Sequence, residues 1–204
     1  MAYPFIVVEG IDGAGKEAQV ERLADMARRR RERVFVHKFP TASAAKIHEH
    51  LSGGKKLDED ELFSLYSKDI MDGQEEIGRH IGLGWVICDR YLMSTAAYQA
   101  VESPLEKRVS EIEALGALKP SMVIWIDLPV DVAMKRKAGQ KKPDRHESDG
   151  EFLGRVAANY EELYRRGFMC KEWARIDGVG SIEEVAKKIR AVLAGEKGQQ
   201  DKET

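Results

Sequence analysis

The sequence predicts an α/β fold in which a parallel β-sheet has helices on both faces. Short runs of β-branched and aromatic residues alternate along the chain with longer stretches of helical periodicity, and this alternation produces such a sheet. The first run is nearly all apolar, as expected for a strand that is covered on both sides. At 204 residues, 43% of them hydrophobic, the chain is long enough for one sizeable domain and short for two.

The N-terminal part of the chain predicts a strand, a helix and a second strand. The first strand is PFIVVEG, residues 4–10, and the second is RVFVHKFP, residues 33–40. Between them, residues 16–33 carry apolar side chains at spacings of three and four, which places them on one face of a helix. These side chains are Val20, Leu23, Ala24 and Ala27.

The middle of the chain predicts one long helical stretch and then the third strand. After the loop SGGKK at 52–56, the acidic residues 58–61 begin the stretch, and acidic side chains suit the positive end of a helix dipole. Its apolar residues are Leu62, Leu65, Ile70, Ile77 and Ile81. The third strand is GWVICDRY, residues 84–91.

The C-terminal part predicts two more strands and a last helix. The strands are SMVIWIDLP at 121–129 and WARIDG at 173–178, with helical patterns between the strands, and the helix covers 181–195. The tail, residues 196–204, has nothing apolar to bury, which predicts disorder. Since no repeat or linker interrupts the pattern, we predict a single domain over residues 1–195.

The overall charge argues against several classes of partner. A formal net charge of -2 gives no general attraction to nucleic acid or to an anionic membrane. The arginine-rich run 28–33 fits a solvated helix end, where cations face the negative pole of the helix dipole. No apolar run approaches the roughly 18 residues of a spanning helix, and the N-terminus has no signal-peptide pattern. We therefore expect neither a nucleic-acid partner nor a membrane partner.

The two cysteines indicate a reducing compartment. Cys88 and Cys170 are far apart in the sequence and neither belongs to a CxxC pair, which argues against a disulfide framework and against a zinc site. We predict that both are packing residues and that the protein is cytoplasmic.

A glycine-rich loop follows the first predicted strand. Residues 10–16, GIDGAGK, match the phosphate-loop pattern G-x-x-x-x-G-K between a strand and a helix, the context that the motif requires. Its glycines let backbone amides turn toward phosphate oxygens, and Lys16 can reach the β- and γ-phosphates of ATP. The residues predicted to bind the nucleotide are Gly10, Asp12, Gly13, Ala14, Gly15, Lys16, Glu17 and Ala18.

Position 17 departs from the pattern, because Glu17 stands where such loops place the hydroxyl that binds Mg²⁺. At about 4 Å and an effective dielectric near 20, its charge would repel a phosphate charge by roughly 4 kcal/mol. A metal ion would reverse the sign, since a carboxylate is a good ligand for Mg²⁺. Two outcomes stay open: Glu17 ligates the metal, or it impairs the chemistry.

Beyond this loop, the chain resembles the thymidylate kinase family in order and rough spacing up to about Gly195. The matching stretches are EGIDGAGK, CDRYLMSTAAYQA, KPSMVIWIDLPVDVAMKRK, PDRHESDGEFLGRVAANYEEL and IDGVGSIEEV. The resemblance implies a P-loop kinase fold, a three-layer sandwich whose five-stranded parallel sheet has the order 2-3-1-4-5. It also implies ATP and Mg²⁺ as cofactors, a homodimer, and a lid over about residues 135–150.

The resemblance assigns roles to residues that follow the first and third strands. Asp12 would lie near the sugar of the acceptor nucleotide, Asp89 would hold the metal through water, and Arg90 would grip the acceptor and transferring phosphates. The acceptor nucleoside would be contacted by Ser94, Tyr98 and Gln99. Ligands do gather at the carboxyl ends of parallel strands, although an aspartate after a strand is also a common helix N-cap.

The predicted lid concentrates positive charge. Family members without an arginine after the P-loop aspartate carry the catalytic cation in the lid, and here Gly13 follows Asp12. Arg136 and Arg145 are therefore candidates to neutralise charge on the transferred group, as an arginine finger does. A disordered surface loop is the alternative.

The acceptor side departs from the family pattern. Lys68 falls where the family usually has an arginine against thymine, and a lysine lacks the planar fork. Phe63 and Tyr66 bracket the position of the aromatic residue that stacks on the base, and either could instead belong to the helix core. The segment KFPT supplies Lys38 and Phe39, again with lysine where arginine is commoner.

We therefore predict ATP-dependent phosphorylation of dTMP to dTDP. Lys16, Arg90, Arg136 and Arg145 would carry catalysis by aligning the two substrates and stabilising spread negative charge. Two alternatives stay open: a kinase for another nucleoside monophosphate, suggested by Lys68, and a nucleotide-binding protein with impaired catalysis, suggested by Glu17.

Overall fold

The computed structural model describes residues 3–138 and 150–195, which are organised around one parallel sheet. Its strands are β1 (Phe5–Glu9), β2 (Val34–Lys38), β3 (Trp85–Asp89), β4 (Met122–Asp127) and β5 (Trp173–Asp177). They lie in the order β2-β3-β1-β4-β5, and every neighbouring pair is parallel. The predicted five-stranded sheet and its order are confirmed.

Helices surround this sheet. In the described part of the chain they are α1 (Lys16–Arg29), α2 (Ala45–Leu51), α3 (Glu59–Asp72), α4 (Gln74–His80), α5 (Leu92–Tyr98), α6 (Leu105–Ala114), α7 (Val130–Ala138), α8 (Gly150–Arg166) and α9 (Ile182–Leu193). Every residue of β1 and β3 is buried. Side chains of a strand alternate between the two faces of the sheet, so both faces are covered at its centre.

Three strands end together at one edge of the sheet. Val8 of β1 and Lys38 of β2 both lie opposite Asp89, the last residue of β3. The segments that follow β1, β2 and β3 therefore start side by side, where ligands gather in parallel α/β sheets.

The first helix is shorter than the sequence indicates. α1 ends at Arg29, and Arg31 has a φ of 60°, a left-handed conformation that ends a helix. The N–H of Glu32 donates to the carbonyl of Ala27 at 3.1 Å, which closes the turn. The predicted extension of this helix to residue 33 is therefore wrong.

The predicted helical stretch from residue 58 to 81 is two helices, α3 and α4, that separate at Gly73. The side chain of Gln74 donates to the carbonyl of Ile70 at 3.0 Å, in place of the backbone amide that would continue the helix. A Cβ atom at Gly73 would lie 3.2 Å from the ring of Phe39. The segment after β2 therefore packs closely against the junction of α3 and α4.

The hydrophobic core includes the central strands and the faces of the helices packed on them. Cys88 and Cys170 are buried in it as free thiols, which agrees with a packing role. Within residues 3–138 and 150–195, no helix has the length and hydrophobicity of a transmembrane span.

Candidate active site

The loop between β1 and α1 has a backbone that favours glycine. Gly10, Gly13 and Gly15 have φ values of 147°, 84° and 85°, a region that other residues rarely adopt. At Gly10 a Cβ atom would also lie 2.6 Å from the carbonyl oxygen of Ile126 on β4. Gly15 is the N-cap of α1 and supplies no side-chain cap, so amides of the first turn are available to bind an anion.

Lys16 is the first residue of α1, and its side chain reaches back to this loop. Only 7% of the residue is exposed, and its Nζ donates to the carbonyl of Ile11 at 2.9 Å. Burial, followed by repulsion from Arg90, lowers the pKa of Lys16 to about 7, against the opposing effect of nearby carboxylates. A polyphosphate in the loop would raise this pKa again, because an opposite charge favours the protonated amine.

Arg90, directly after β3, forms an ion pair with Asp12 of the loop. Its φ is 68°, an uncommon value outside glycine. Its Nη1 donates to Ser94 Oγ at 3.0 Å, and its guanidinium lies 5.2 Å from the ring centre of Tyr98. Burial alone would raise the pKa of Asp12, but positive charges led by that of Arg90 lower it to about 2. The arginine is therefore held from three sides beside the phosphate loop.

Glu9, the last residue of β1, organises this region although the sequence analysis did not select it. It is fully buried, and its Oε1 accepts hydrogen bonds from the N–H groups of Tyr91, at 2.9 Å, and Ser94, at 3.2 Å. Its Oε2 accepts from the hydroxyls of Ser94, at 2.5 Å, and Tyr160, at 2.8 Å. Burial raises the pKa of Glu9. The available signal was a charged residue ending an apolar strand.

Two adjoining cavities open at this edge of the sheet. The P-loop cavity is lined by residues 12–17, Asp89, Arg136, Lys137 and residues 180–182, among others. The α3 cavity is lined by α3, α5 and residues 38–40, with parts of neighbouring segments. The residues that line both cavities are Asp12, Lys38, Phe39 and Arg90. A group bound in one cavity therefore meets a group bound in the other at these side chains.

Of the loop residues predicted to bind nucleotide, some line the P-loop cavity and others do not. Residues 12–17 line the P-loop cavity. Gly10 instead packs against the β4 backbone, and Ala18 lies in α1, outside the residues that line the cavity. Gly10 and Ala18 are therefore the two predicted nucleotide-binding residues that do not line this cavity.

Glu17, in the first turn of α1, pairs with Lys38 at the end of β2. Their Nζ–Oε1 distance is 2.7 Å, and the side chains are 58% exposed for Lys38 and 72% for Glu17. The hydrogen bond to Glu17 is the main cause that raises the pKa of Lys38. The charge at position 17 is therefore already paired, at the rim of the P-loop cavity.

The donor set at the end of β3 fits a magnesium ion bound together with nucleotide phosphates. Asp89 is 5% exposed and lines the P-loop cavity together with Lys16 and Glu17. No group of three or more potential ligand side chains gathers in the described ranges, and Mg²⁺ commonly uses one or two carboxylates plus phosphates and water. Since Glu17 is engaged by Lys38, Asp89 is the carboxylate that suits the ion best.

Most residues predicted to bind the acceptor line the α3 cavity. They are Asp12, Lys38, Phe39, Tyr66, Arg90, Ser94, Tyr98 and Gln99. Phe63 and Lys68 lie elsewhere: the Phe63 ring packs 4.6 Å from the guanidinium of Arg108, and Lys68 forms an exposed ion pair with Asp72. Tyr66 is therefore the aromatic side chain of α3 at this cavity.

The rest of the α3 cavity wall consists of residues that the sequence did not single out. Those residues include His50, Leu51, Leu62, Ile70 and Thr95. Leu62 and Ile70 are buried and follow ordinary core periodicity, so nothing in the sequence separates them from packing residues. Nδ1 of His50 accepts a hydrogen bond from the N–H of Leu57 at 3.0 Å, which fixes the ring.

Arg136, near the end of α7, binds backbone carbonyls. Its Nη2 donates to those of Gly178, at 2.9 Å, and Gly180, at 3.0 Å, and its Nη1 to that of Gly13 at 3.4 Å. It therefore ties α7 to the phosphate loop and to the turn before α9. Arg145 lies outside the described residues, as does most of the predicted lid.

Comparison with known proteins agrees with this geometry. The sequence model of the family described as "Thymidylate kinase" matches residues 8–189. A thymidylate kinase of Bradyrhizobium diazoefficiens is 36% identical over 206 residues, which cover 93% of this chain and 88% of that protein. A thymidylate kinase of Alcanivorax borkumensis is 31% identical over 205 residues, which cover 95% of this chain and 97% of that protein.

Proposed function

Since the chain belongs to the thymidylate kinase family, we propose that it transfers the γ-phosphoryl group of ATP to the 5′-phosphate of dTMP, giving ADP and dTDP. The observation that carries this proposal is the boundary that the two cavities share at Asp12, Lys38, Phe39 and Arg90. A phosphoryl donor in one cavity and a phosphate acceptor in the other would meet there, which is the positioning that phosphoryl transfer requires.

The P-loop cavity suits the triphosphate of ATP. The amides at the start of α1 and the ammonium group of Lys16 would bind the β- and γ-phosphates. Residues 180–182, which line the same cavity, would face the adenosine. Asp89 would hold Mg²⁺, which offsets the charge of the phosphates when it is bound.

The α3 cavity suits a nucleoside monophosphate. Tyr66 offers an aromatic face for the base, and Leu62 and Ile70 add apolar surface against which the methyl group of thymine can be buried. Ser94 and Arg90 line the same cavity, and the arginine would bind the acceptor phosphate.

The reaction needs no general base from the protein. The second ionisation of a phosphate monoester has a pKa of about 6, so the acceptor oxygen of dTMP is anionic at neutral pH and can attack the γ-phosphorus directly. As that P–O bond forms, the bond from the γ-phosphorus to the β–γ bridging oxygen breaks, and ADP leaves with its electron pair. Lys16 and Arg90 supply positive charge, while Asp12 holds Arg90 in place.

Coupled ADP release with MgATP and a panel of nucleoside monophosphates tests the proposal. We expect dTMP to be the preferred acceptor over dUMP and over the other deoxynucleotides. Arg90→Met should lower kcat by about 10²- to 10³-fold, since it removes a charge aimed at the transferred group. Preference for another acceptor, or no ADP release above background with any of them, would overturn it.

The proposal extends to the organisation of the protein. We expect one kinase domain over residues 1–195 with a lid at about 135–150, and a cytoplasmic homodimer with no nucleic-acid or membrane partner. The hydrophobic core that joins all five strands supports a single domain, and the net charge of -2 supports the absence of a nucleic-acid partner. Light scattering on the purified protein tests the dimer. The predicted disordered tail, 196–204, lies outside the described residues.

A further inference from the structure

Two residues at which the chain departs from the expected pattern contact each other. Glu17 stands where phosphate loops usually have a hydroxyl, and Lys38 stands where the family more often has arginine. Their side chains form an ion pair with an Nζ–Oε1 distance of 2.7 Å. The two departures are thus in direct contact.

The pair lies across the boundary of the two cavities. Glu17 belongs to the first turn of α1 and lines the P-loop cavity. Lys38 is the last residue of β2, lies opposite Asp89 in the sheet, and lines both cavities. The carboxylate therefore holds the ammonium group from the donor side, at the place where the two substrates would meet.

The pair is too exposed to matter much for folding. With side chains 58% and 72% exposed, it belongs to a class of ion pairs that stabilise proteins only slightly. Nucleotides in the two cavities would displace water from around it, and charges interact more strongly where the dielectric is lower. Its effect is therefore expected on ligand binding rather than on unfolding.

Each side chain of the pair compensates for a disadvantage of the other: Glu17 positions the Lys38 ammonium group, and Lys38 neutralises the charge of Glu17. A lysine has a flexible four-carbon stem and no planar fork, so its ammonium group needs a contact that places it. A carboxylate next to the phosphate loop repels phosphate unless a positive charge lies beside it. The ion pair supplies both the contact and the positive charge.

We propose that Glu17 is a positioning residue that holds Lys38 at the boundary of the two cavities, and that Lys38 cancels the charge of Glu17 beside the donor phosphates. The inference rests on the proposed kinase function and gives Glu17 no role as a metal ligand. It requires the effects of substitutions at the two positions to be non-additive.

A double-mutant cycle with Glu17→Thr and Lys38→Met tests the pairing. Lys38→Met leaves the carboxylate unopposed and should raise KM for both ATP and dTMP by about tenfold. Adding Glu17→Thr removes the repulsion and should lower KM for ATP again by about fivefold, whereas KM for dTMP stays high. If the fold-changes of the single variants simply multiply in the double variant, the proposal is overturned.

A second pair of variants tests the positioning role. Glu17→Thr alone frees the lysine and should raise KM for dTMP by about threefold, whereas Glu17→Thr with Lys38→Arg should restore it, because arginine brings its own rigid fork. The matched control is Arg28→Met, which breaks an exposed ion pair with Asp25 (3.0 Å, 60% and 52% exposed) toward the other end of α1. It should change neither KM by more than about twofold.

Calorimetry with a non-hydrolysable ATP analogue separates pairing from metal ligation. Pairing predicts that Lys38→Met weakens analogue binding in EDTA and that Glu17→Thr restores it there. An effect of Glu17→Thr that appears only with Mg²⁺ would overturn the proposal. If the coupling is found but dTMP is not phosphorylated, the pairing is supported and the proposed function fails.

Discussion

At the residue scale, Lys16 leads to a prediction about protons. Its pKa in the free protein is lowered to about 7, so at about pH 8 most molecules carry a neutral amine. A bound triphosphate favours the charged form, and binding should therefore take up a proton at about pH 8 and much less at about pH 6, where the amine is already protonated.

Calorimetric titration with an ATP analogue in two buffers of different ionisation enthalpy measures this uptake. Lys16→Met should abolish it, and uptake that persists in that variant would contradict the assignment. The same pKa shift makes stability depend on pH. Because the pKa of this lysine falls on folding, the free protein should become more stable as the pH rises from about 7 toward about 10.5.

The sequence predicted residues best where a motif fixes the backbone. Residues 12–17 could be assigned to one cavity because their glycine spacing prescribes the loop. The sequence could not decide between Phe63 and Tyr66, because residues that are three positions apart in a helix are neighbours on its surface. Phe63 is directed away from the cavity only by its packing against Arg108. Glu9 was missed because its partners Tyr91, Ser94 and Tyr160 are distant in sequence.

At the element scale, Arg108 joins α6 to α3 and to the end of α5. It is 1% exposed; its Nε donates to the carbonyl of Gln99 at 2.6 Å, and its guanidinium binds Asp60 and covers the ring of Phe63. Arg108→Met should lower the free energy of unfolding by about 1–3 kcal/mol, because it leaves the buried carbonyl of Gln99 without its donor. It should also raise KM for dTMP, since Gln99 lines the α3 cavity.

Chemical denaturation and steady-state kinetics check this prediction together. Lys107→Met is the control, because Lys107 binds the same Asp60 at 2.8 Å but is 43% exposed, and it should shift stability by no more than about 0.5 kcal/mol. Equal losses in the two variants would mean that Arg108 contributes only a surface charge.

Strands were easier to predict than helix ends. The five strands are short apolar runs whose identity depends on local sequence. The break at Gly73 coincides with a hydrogen bond from the Gln74 side chain to the Ile70 carbonyl, and hydrophobic periodicity does not reveal a side-chain bond of this kind. α2 was not predicted, because only Ile47 and His50 of its seven residues are buried and a short helix shows little periodicity.

At the scale of the whole molecule, the shared boundary of the cavities predicts how a linked ligand binds. A compound that joins adenosine to thymidine through a polyphosphate chain would occupy both cavities. It would lose rotational and translational freedom only once, whereas two separate ligands lose it twice. It should bind more tightly than an ATP analogue or dTMP alone. Calorimetry measures the affinities, and at a concentration of 100 Kd the ligand should stabilise the fold by about 2.7 kcal/mol.

The matched control is dithymidine polyphosphate of the same chain length. It should bind less tightly, because one thymidine fills the α3 cavity and the other must then enter the part of the P-loop cavity that is proposed for adenosine. If the linked compound binds no more tightly than the tighter-binding of the ATP analogue and dTMP, the two cavities are not occupied at the same time.

The parallel sheet could be predicted from the alternation of strands and helices, and its strand order from the resemblance alone. The contacts of Arg136 could not, because the carbonyls of Gly13, Gly178 and Gly180 come from segments that only the folded sheet brings together.

The phosphate loop also shows where such a site has freedom to vary. Its first glycine is pressed against the neighbouring strand, 2.6 Å from an oxygen atom once any side chain is added, so Gly10 admits no alternative without moving the sheet. Position 17, in the first turn of α1, is open to solvent and pairs with the basic side chain of Lys38. In a loop of this kind, the residue at position 17 can change while the glycine at position 10 stays the same.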